Sequence, residues 1–287
     1  MEKKTELITN SDGSIFHLHL LPDDISDKII IVGDPARVDM LSSLFETIRV
    51  RKENREFRTV TGSYEGNEFT IISSGIGTDN IDILINELDA LANINLRTGE
   101  VRDDTVSLTL IRLGTSGGIR SDVPAGSCVM AETAIGFDGL IHFYEGYDWL
   151  LDNILTSVLA DYLEWPDTLP FPYAVNASSE LLDLFSKEDF IRGITVSAPG
   201  FYAPQGRKLR LDPFDGEINE KLAKFSFRGK TISNYEMESS AIYGLSGLLG
   251  HKALTFCAVI GNRATGEFVN DYKPLIMNIA TRIMKTI

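Results

Sequence analysis

Arg112 stands near the end of an apolar run, Val106 to Ile111, whose Val, Leu and Ile predict a buried strand. Past it the chain turns to small and hydroxylated residues, Gly114-Thr115-Ser116-Gly117-Gly118. A guanidinium in such a place needs a counter-charge. A glycine-rich loop with two hydroxyls would offer backbone N–H and O–H donors to that same charge. The combination predicts an oxyanion cradle at a strand end. A buried ion pair beside a strand-closing turn would use the same residue types.

Four further stretches carry charged or hydroxylated groups near predicted strand ends or helix starts. Gly33-Asp34-Pro35-Ala36-Arg37 follows the apolar run Lys28 to Val32. Pro35 suits the first turn of a helix, from which Arg37 could reach an anion held at the glycine backbone; taken alone, the stretch is a helix start with a solvated arginine. Arg55-Glu56 by itself reads as a solvated pair on a strand edge. In Phe201-Tyr202-Ala203-Pro204-Gln205-Gly206-Arg207 an amide and a guanidinium stand two residues apart, and an extended segment would point both the same way. They could meet the carbonyl–NH–carbonyl edge of a flat heterocycle, with Phe201 on its face. An ordinary surface loop with one core phenylalanine fits equally. Asn234-Tyr235-Glu236-Met237-Glu238-Ser239-Ser240 places two carboxylates around a methionine where a helix starts. They complement the helix dipole, or Glu238 accepts from vicinal sugar hydroxyls while Met237 packs beneath the sugar.

Other chemistries lack their signatures. His17 and His19 would share a strand face but have no paired Cys or carboxylate ligand. Gly75-Ile76-Gly77 continues as Thr78-Asp79-Asn80, not as a dinucleotide-binding fingerprint.

The elements that must position these groups alternate. Lys28–Val32 is a strand, followed by a helix carrying Val38, Leu41 and Leu44. Phe57–Ser74 is two strands around a turn at Glu65-Gly66-Asn67, and Ile81–Leu91 is an amphipathic helix. Asn93–Thr105 is an exposed, charged loop. Ser127–Glu132, Ile191–Ala198 and Lys252–Ile260 are strands. A helix capped by Ser178 or Ser179 runs through Phe185, and Glu217–Phe225, Met237–Leu249 and Asp271–Ile287 are helices. This order predicts an α/β fold on a central sheet, with ligands at the strand ends. No composition break marks a linker, so the expectation is one domain over residues 15–287 after a flexible segment 1–14.

The bulk properties agree with a small-molecule enzyme. In 287 residues, 27 Lys and Arg face 41 Asp and Glu for a net charge of −14, which argues against nucleic-acid polymers and anionic membranes as partners. Cys128 and Cys257 lie in apolar runs and read as reduced core residues. No apolar run suits a signal peptide or a membrane span, so the expected location is the cytoplasm.

Taken together and in this order, four motifs resemble the nucleoside phosphorylases of the hexameric-type fold, above all their uridine-cleaving members. The motifs are Gly33-Asp34-Pro35-x-Arg37, Arg112-x-Gly114-Thr115-Ser116-Gly117, Phe201-x-x-x-Gln205-x-Arg207 and Glu236-Met237-Glu238. The resemblance implies a three-layer α/β/α fold around a mixed, partly barrel-like sheet. It implies phosphate held by Gly33, Arg37, Arg112 and Thr115, with Arg55 from a neighbouring subunit. Ribose would rest on Met237 and Glu238 near the neighbour's His17. The base would meet Gly117, Phe201, Gln205, Arg207 and Arg263, with Arg112, Gln205 and Arg207 as the catalytic set. A residue set shared in this way implies an obligate homo-oligomer, a dimer or a trimer of dimers. Inorganic phosphate is the co-substrate, with no redox cofactor and no catalytic metal; some members hold a monovalent cation at positions matching Glu56, Ile76 and Asn80. Purine-specific relatives carry an acid where this chain has Asn262, and the acidic stretch near 93–104 departs from the shorter bacterial pattern.

Overall fold

Ile29, Ile30, Ile31 and Val32 are all fully buried. A strand buried on both faces calls for helices on both sides of its sheet, and the computed structural model, which describes residues 6–287, has that architecture. The first strands are β1 (Lys28–Val32), β2 (Thr47–Asn54), β3 (Phe57–Tyr64) and β4 (Asn67–Ser73), followed by the two-residue strands β5 (Ile94–Asn95) and β6 (Glu100–Val101). Next come β7 (Thr109–Gly118), β8 (Cys128–Gly136), β9 (Tyr173–Asn176) and β10 (Ile191–Ser197). The last are β11 (Ser226–Phe227), β12 (Lys230–Glu236) and β13 (Lys252–Asn262). All but β5 and β6 belong to one eleven-stranded sheet.

The sheet has an open half and a closed half. β4, β1, β7 and β13 run parallel in that order, with β3 and β2 added antiparallel at the outer edge. Beyond β13 it curls through β8, β10 and β12. β12 then returns to the end of β7, with Tyr235 opposite Gly117 and Asn234 opposite Gly118. Five strands thereby close into a barrel, so the mixed, partly barrel-like sheet is borne out.

The helices are α1 (Pro35–Ser42), α2 (Thr78–Asn93), α3 (Asn153–Leu163), α4 (Ser179–Leu184), α5 (Ile218–Lys224), α6 (Ser239–Leu249) and α7 (Lys273–Thr286). α1 lies on β3 and β4 and touches α7, while α6 packs on α2 and on the barrel strands β8 and β13. No helix among the described residues is long and apolar enough to cross a membrane.

One difference from the sequence expectation matters for the site. The sequence predicts a strand ending at Ile111 and a loop over Gly114–Gly118; instead β7 runs to Gly118 and stays paired with β13, Arg112 opposite Thr255 and Thr115 opposite Ala258. The segment therefore offers a ligand its side chains more than its backbone N–H groups. Gly114 and Gly118 serve packing. A Cβ on Gly114 would lie 2.5 Å from Cζ of Arg112, so only glycine lets that guanidinium fold back along its own strand.

Other differences are local. The charged stretch 93–105 folds in part into the β5–β6 pair. His17 lies in a turn and His19 just beyond it, neither on a strand, and His19 has φ +56. In the segment expected to be loose, Thr9 bridges Ile15 and Asn10 Nδ2 donates to the Ile15 carbonyl at 3.0 Å. Residues 1–5 of that segment lie outside the described residues.

Candidate active site

Asp34 caps α1, its carboxylate accepting from Ala36 N at 2.9 Å with Pro35 just inside the helix. The cap fixes how the chain leaves β1 at Gly33 and where Arg37, on the first turn, is aimed. Arg112 comes from β7, where Ile31 of β1 is its register partner. β1 stops at the next residue while β7 continues into the barrel, so the two arginines come together at a step in the sheet, where open α/β sheets bind ligands. The cavity there measures about 680 Å³, within the range of small-molecule sites.

The two guanidinium groups are electrically unlike. Arg112 is 4% exposed; its Nη1 lies 3.0 Å from Glu236, and its Nη2 donates to Glu238. Burial pushes its pKa down, and the two carboxylates more than reverse that. Arg37 has no such partner: its Nε and Nη1 are buried and unbonded among the described residues. Burial, with the charge of Arg112 beside it, holds the Arg37 pKa below its ordinary value. Open donors on a buried cation next to a second cation make an anion site. Thr115 and Ser116 line the same wall, and Ser116 Oγ is also buried without a partner among the described residues.

Glu236 and Glu238 divide the two readings of their motif. The Glu236 carboxylate accepts from Glu238 N at 3.1 Å and Ser239 N at 3.0 Å, which caps α6, and from Ser197 Oγ. It complements a helix start, as the dipole reading holds. Glu238 accepts from Gly77 N at 2.8 Å and from Arg112, and with Met237 it lines the cavity. Burial raises the Glu238 pKa, with Arg112 pulling against it.

At the opposite end of the cavity Gln205 is 3% exposed. The sequence predicts that Gln205 and Arg207 point the same way from an extended segment. They converge by another route: Ala203–Gln205 is a short 3-10 turn, and Gly206, at φ +67, reverses the chain. Arg207 Nη1 then donates to Gln205 Oε1 at 2.7 Å, with the guanidinium 3.7 Å from the Phe201 ring centroid. Arg263, just after β13, reaches the same Oε1 through Nη2 at 2.9 Å and lies over Tyr235 at 4.9 Å. Burial lowers both arginine pKa values, and for Arg263 the charge of Arg207 adds to it. Among the described residues neither guanidinium is bonded to a carboxylate; their acceptors are Phe201 O, Gln205 and Asn219.

Asn262 adjoins this corner, but its side chain is fully engaged. Nδ2 donates to the carbonyls of Arg120 at 2.7 Å and Val123 at 2.6 Å, and Oδ1 accepts from Ala264 N at 2.8 Å and Thr265 N at 3.1 Å. It ties two loops together and has no group left for a ligand.

The cavity wall collects every residue singled out for phosphate, ribose or base except His17 and Arg55. Those two sit together elsewhere. Asn54 Nδ2 donates to the His17 carbonyl at 2.7 Å, and the exposed Arg55, in the turn between β2 and β3, lies 5.9 Å from the Phe16 ring. Glu56, Ile76 and Asn80 gather round Gly75, where a Cβ would meet Asn80 Nδ2 at 2.5 Å and Glu56 Cγ at 3.1 Å. Asn80 presents its amide N–H to the Ile76 carbonyl at 3.3 Å. Sequence reasoning did not single out Tyr235 or Asn219. Tyr235 lies inside the 234–240 motif and was open to notice; Asn219 has no local mark, and only its contacts across the fold reveal it.

Comparison with known proteins agrees with this geometry. The family model described as the phosphorylase superfamily matches residues 27–286. A uridine phosphorylase of Thermococcus kodakarensis is 29% identical over 257 residues, covering 90% of this chain and 80% of the relative. A guanosine phosphorylase of Halorubrum lacusprofundi is 27% identical over 251 residues, covering 88% and 85%. Among solved structures, the Trypanosoma brucei nucleoside phosphorylase that shows uridine phosphorylase activity superposes with a TM-score of 0.87 at 28% identity, covering 98% of each chain. With nearly its whole length matched by the family model, the chain belongs to the phosphorylase superfamily and has the nucleoside phosphorylase fold.

Proposed function

We propose that the nucleoside cleaved by this phosphorylase is uridine, released as uracil and ribose 1-phosphate. The observation that carries the reading is the convergence of Arg207 and Arg263 on the single amide oxygen of Gln205, with no carboxylate among the described residues bonded to either. Two uncompensated cations and an amide suit the carbonyl–NH–carbonyl edge of uracil, and suit it better as negative charge builds on the ring. Phosphate would sit with Arg37, Arg112, Gly33 and Thr115, and the ribose over Met237 with its hydroxyls on Glu238.

In the reaction the C1′–N1 bond breaks and its electron pair moves into the uracil ring, toward Arg207 and Arg263. A phosphate oxygen forms the new bond to C1′ from the opposite face. The chain's part is to hold the reactants in line and to stabilise charge at both ends. Arg55 and His17 would enter from a neighbouring subunit, making the enzyme an obligate homo-oligomer, a dimer or a trimer of dimers. The same reading places it in the cytoplasm, in pyrimidine nucleoside salvage or catabolism. Guanosine phosphorylase is among the relatives, but position 262 holds an amide, not an acid that could protonate a purine ring, and its bonds to four backbone groups keep it from a ligand.

The test is to incubate the protein with uridine, thymidine and inosine, with and without phosphate, and to follow free base and ribose 1-phosphate. Phosphate-dependent uracil release is expected. Inosine as the best substrate, or base release without phosphate, would overturn the reading.

A further inference from the structure

We propose that Asn219 is a positioning residue that holds Arg263 at the base end of the site without neutralising it; the inference rests on the uridine reading above. Asn219 lies on α5 and does not line the cavity. Its Oδ1 accepts from Arg263 Nη1 at 3.1 Å, and its Nδ2 donates to the Gln205 carbonyl at 3.3 Å. Arg263 Nη1 donates to that same carbonyl, and Nη2 to Gln205 Oε1. The three residues form a closed ring of bonds, which fixes a helix, the base-reading turn and the end of β13 against one another. Gly206 permits the approach, since a Cβ there would lie 2.6 Å from Asn219 Nδ2.

The choice of an amide is the informative point. A carboxylate would bind a buried guanidinium more strongly, and acids are close by in the chain. They are turned to lysines instead: Asp215 pairs with Lys221 at 2.7 Å and Glu220 with Lys224 at 3.6 Å. Arg207 and Arg263 repel each other and need a tie to stay converged on Gln205. A carboxylate tie would cancel the charge that the departing uracil needs. An amide at 219 supplies the geometry of a carboxylate and leaves the charge intact.

Asn219→Asp keeps the shape and the acceptor toward Arg263, adds the charge and gives up the Nδ2 donation to the Gln205 carbonyl; Asn219→Ala removes the tie altogether. Steady-state kinetics with uridine and phosphate near pH 7.5, where an aspartate is ionised, are read beside Tm. Asn219→Asp is expected to lower kcat by about tenfold or more, with the phosphate KM within about twofold and Tm changed little, the ion pair gained with Arg263 offsetting the bond lost to the Gln205 carbonyl. Asn219→Ala is expected to raise the uridine KM several-fold with a smaller change in kcat. Wild-type turnover in Asn219→Asp would overturn the proposal. So would a joint fall in Tm and rise in phosphate KM in both variants, which is what a merely structural asparagine would give. Wild-type protein that leaves uridine intact overturns the substrate reading and this inference with it. An active wild type with an unchanged Asn219→Asp variant overturns the inference alone.

Discussion

Arg37 and Arg112 share one wall of the cavity, and only Arg112 is paired with carboxylates. The asymmetry separates two effects that usually travel together. Removing Arg112 leaves Glu236 and Glu238 buried without their cation, and breaking a buried pair in this way costs about 3–5 kcal/mol. For a chain of this size that is a fall in Tm of roughly 10 °C. Removing Arg37 takes away a buried charge that has no bonded partner among the described residues, so Arg37→Met should hold or raise Tm. Its phosphate KM should rise about tenfold or more, the loss of one charge-assisted contact. Melting curves and phosphate titrations of Arg37→Met and Arg112→Ala check the contrast. A large loss of Tm in Arg37→Met would mean that its side chain has a structural partner.

Gly114 tests whether the glycines of the opening motif act by turning or by packing. Its φ is not in the left-handed region, so alanine strains no backbone there; the obstacle is the Arg112 guanidinium, 2.5 Å from where the Cβ would lie at its Cζ. Gly114→Ala should therefore cost about 1–3 kcal/mol of stability, as overpacking does, and remove most turnover by displacing Arg112. Gly117→Ala, whose nearest neighbour is Arg263 Nε at 3.8 Å, should leave Tm nearly unchanged. Equal Tm values for the two variants would contradict the packing account.

What the sequence could say about the fold and the site follows the range of the interactions involved. The α/β order and most strands and helices are written in local periodicity and caps, as at Pro35, where the predicted helix start is the observed one. The grouping of Arg37, Arg112, Gln205, Arg207, Met237 and Glu238 was legible only through the resemblance of the ordered motifs, since composition does not say which loops meet. The extension of β7 to Gly118 was not legible. A Gly-Thr-Ser-Gly-Gly run has low strand propensity, and pairing on both sides, to β13 and to β12, overrides it. Asn219 was invisible for the same reason, because its partners lie 14 and 44 residues away.

Asn262 invites the substitution that would supply the acid found in purine-specific relatives. The structure predicts that Asn262→Asp fails as a specificity switch. Both N–H groups of the amide are donated to carbonyls, of Arg120 and Val123. A carboxylate would lose both bonds and face two oxygens in a buried place, at a cost of about 1–3 kcal/mol for each unsatisfied group. Tm should fall and inosine phosphorolysis should not appear. A variant with wild-type Tm and new inosine turnover would show that the loops at 120–123 and 264–265 do not depend on this side chain.

His17 and Arg55 stand side by side away from their own chain's cavity, linked through Asn54 and Phe16. If they serve a neighbour's site, lesions on the two sides of the interface must complement. Arg55→Ala and Arg37→Met are each expected to be nearly inactive at low phosphate. In a hybrid of the two, one site has an intact Arg37 from the first chain and an intact Arg55 from the second, while the other site carries both lesions. Random pairing of isologous partners makes half the pairs hybrid, so co-expression should restore about a quarter of the wild-type rate. Measured by initial rates on co-expressed, doubly tagged protein, recovery near that level requires a shared site. No recovery, with hybrids demonstrated by the tags, would mean that Arg55 does not act at a neighbour's phosphate site.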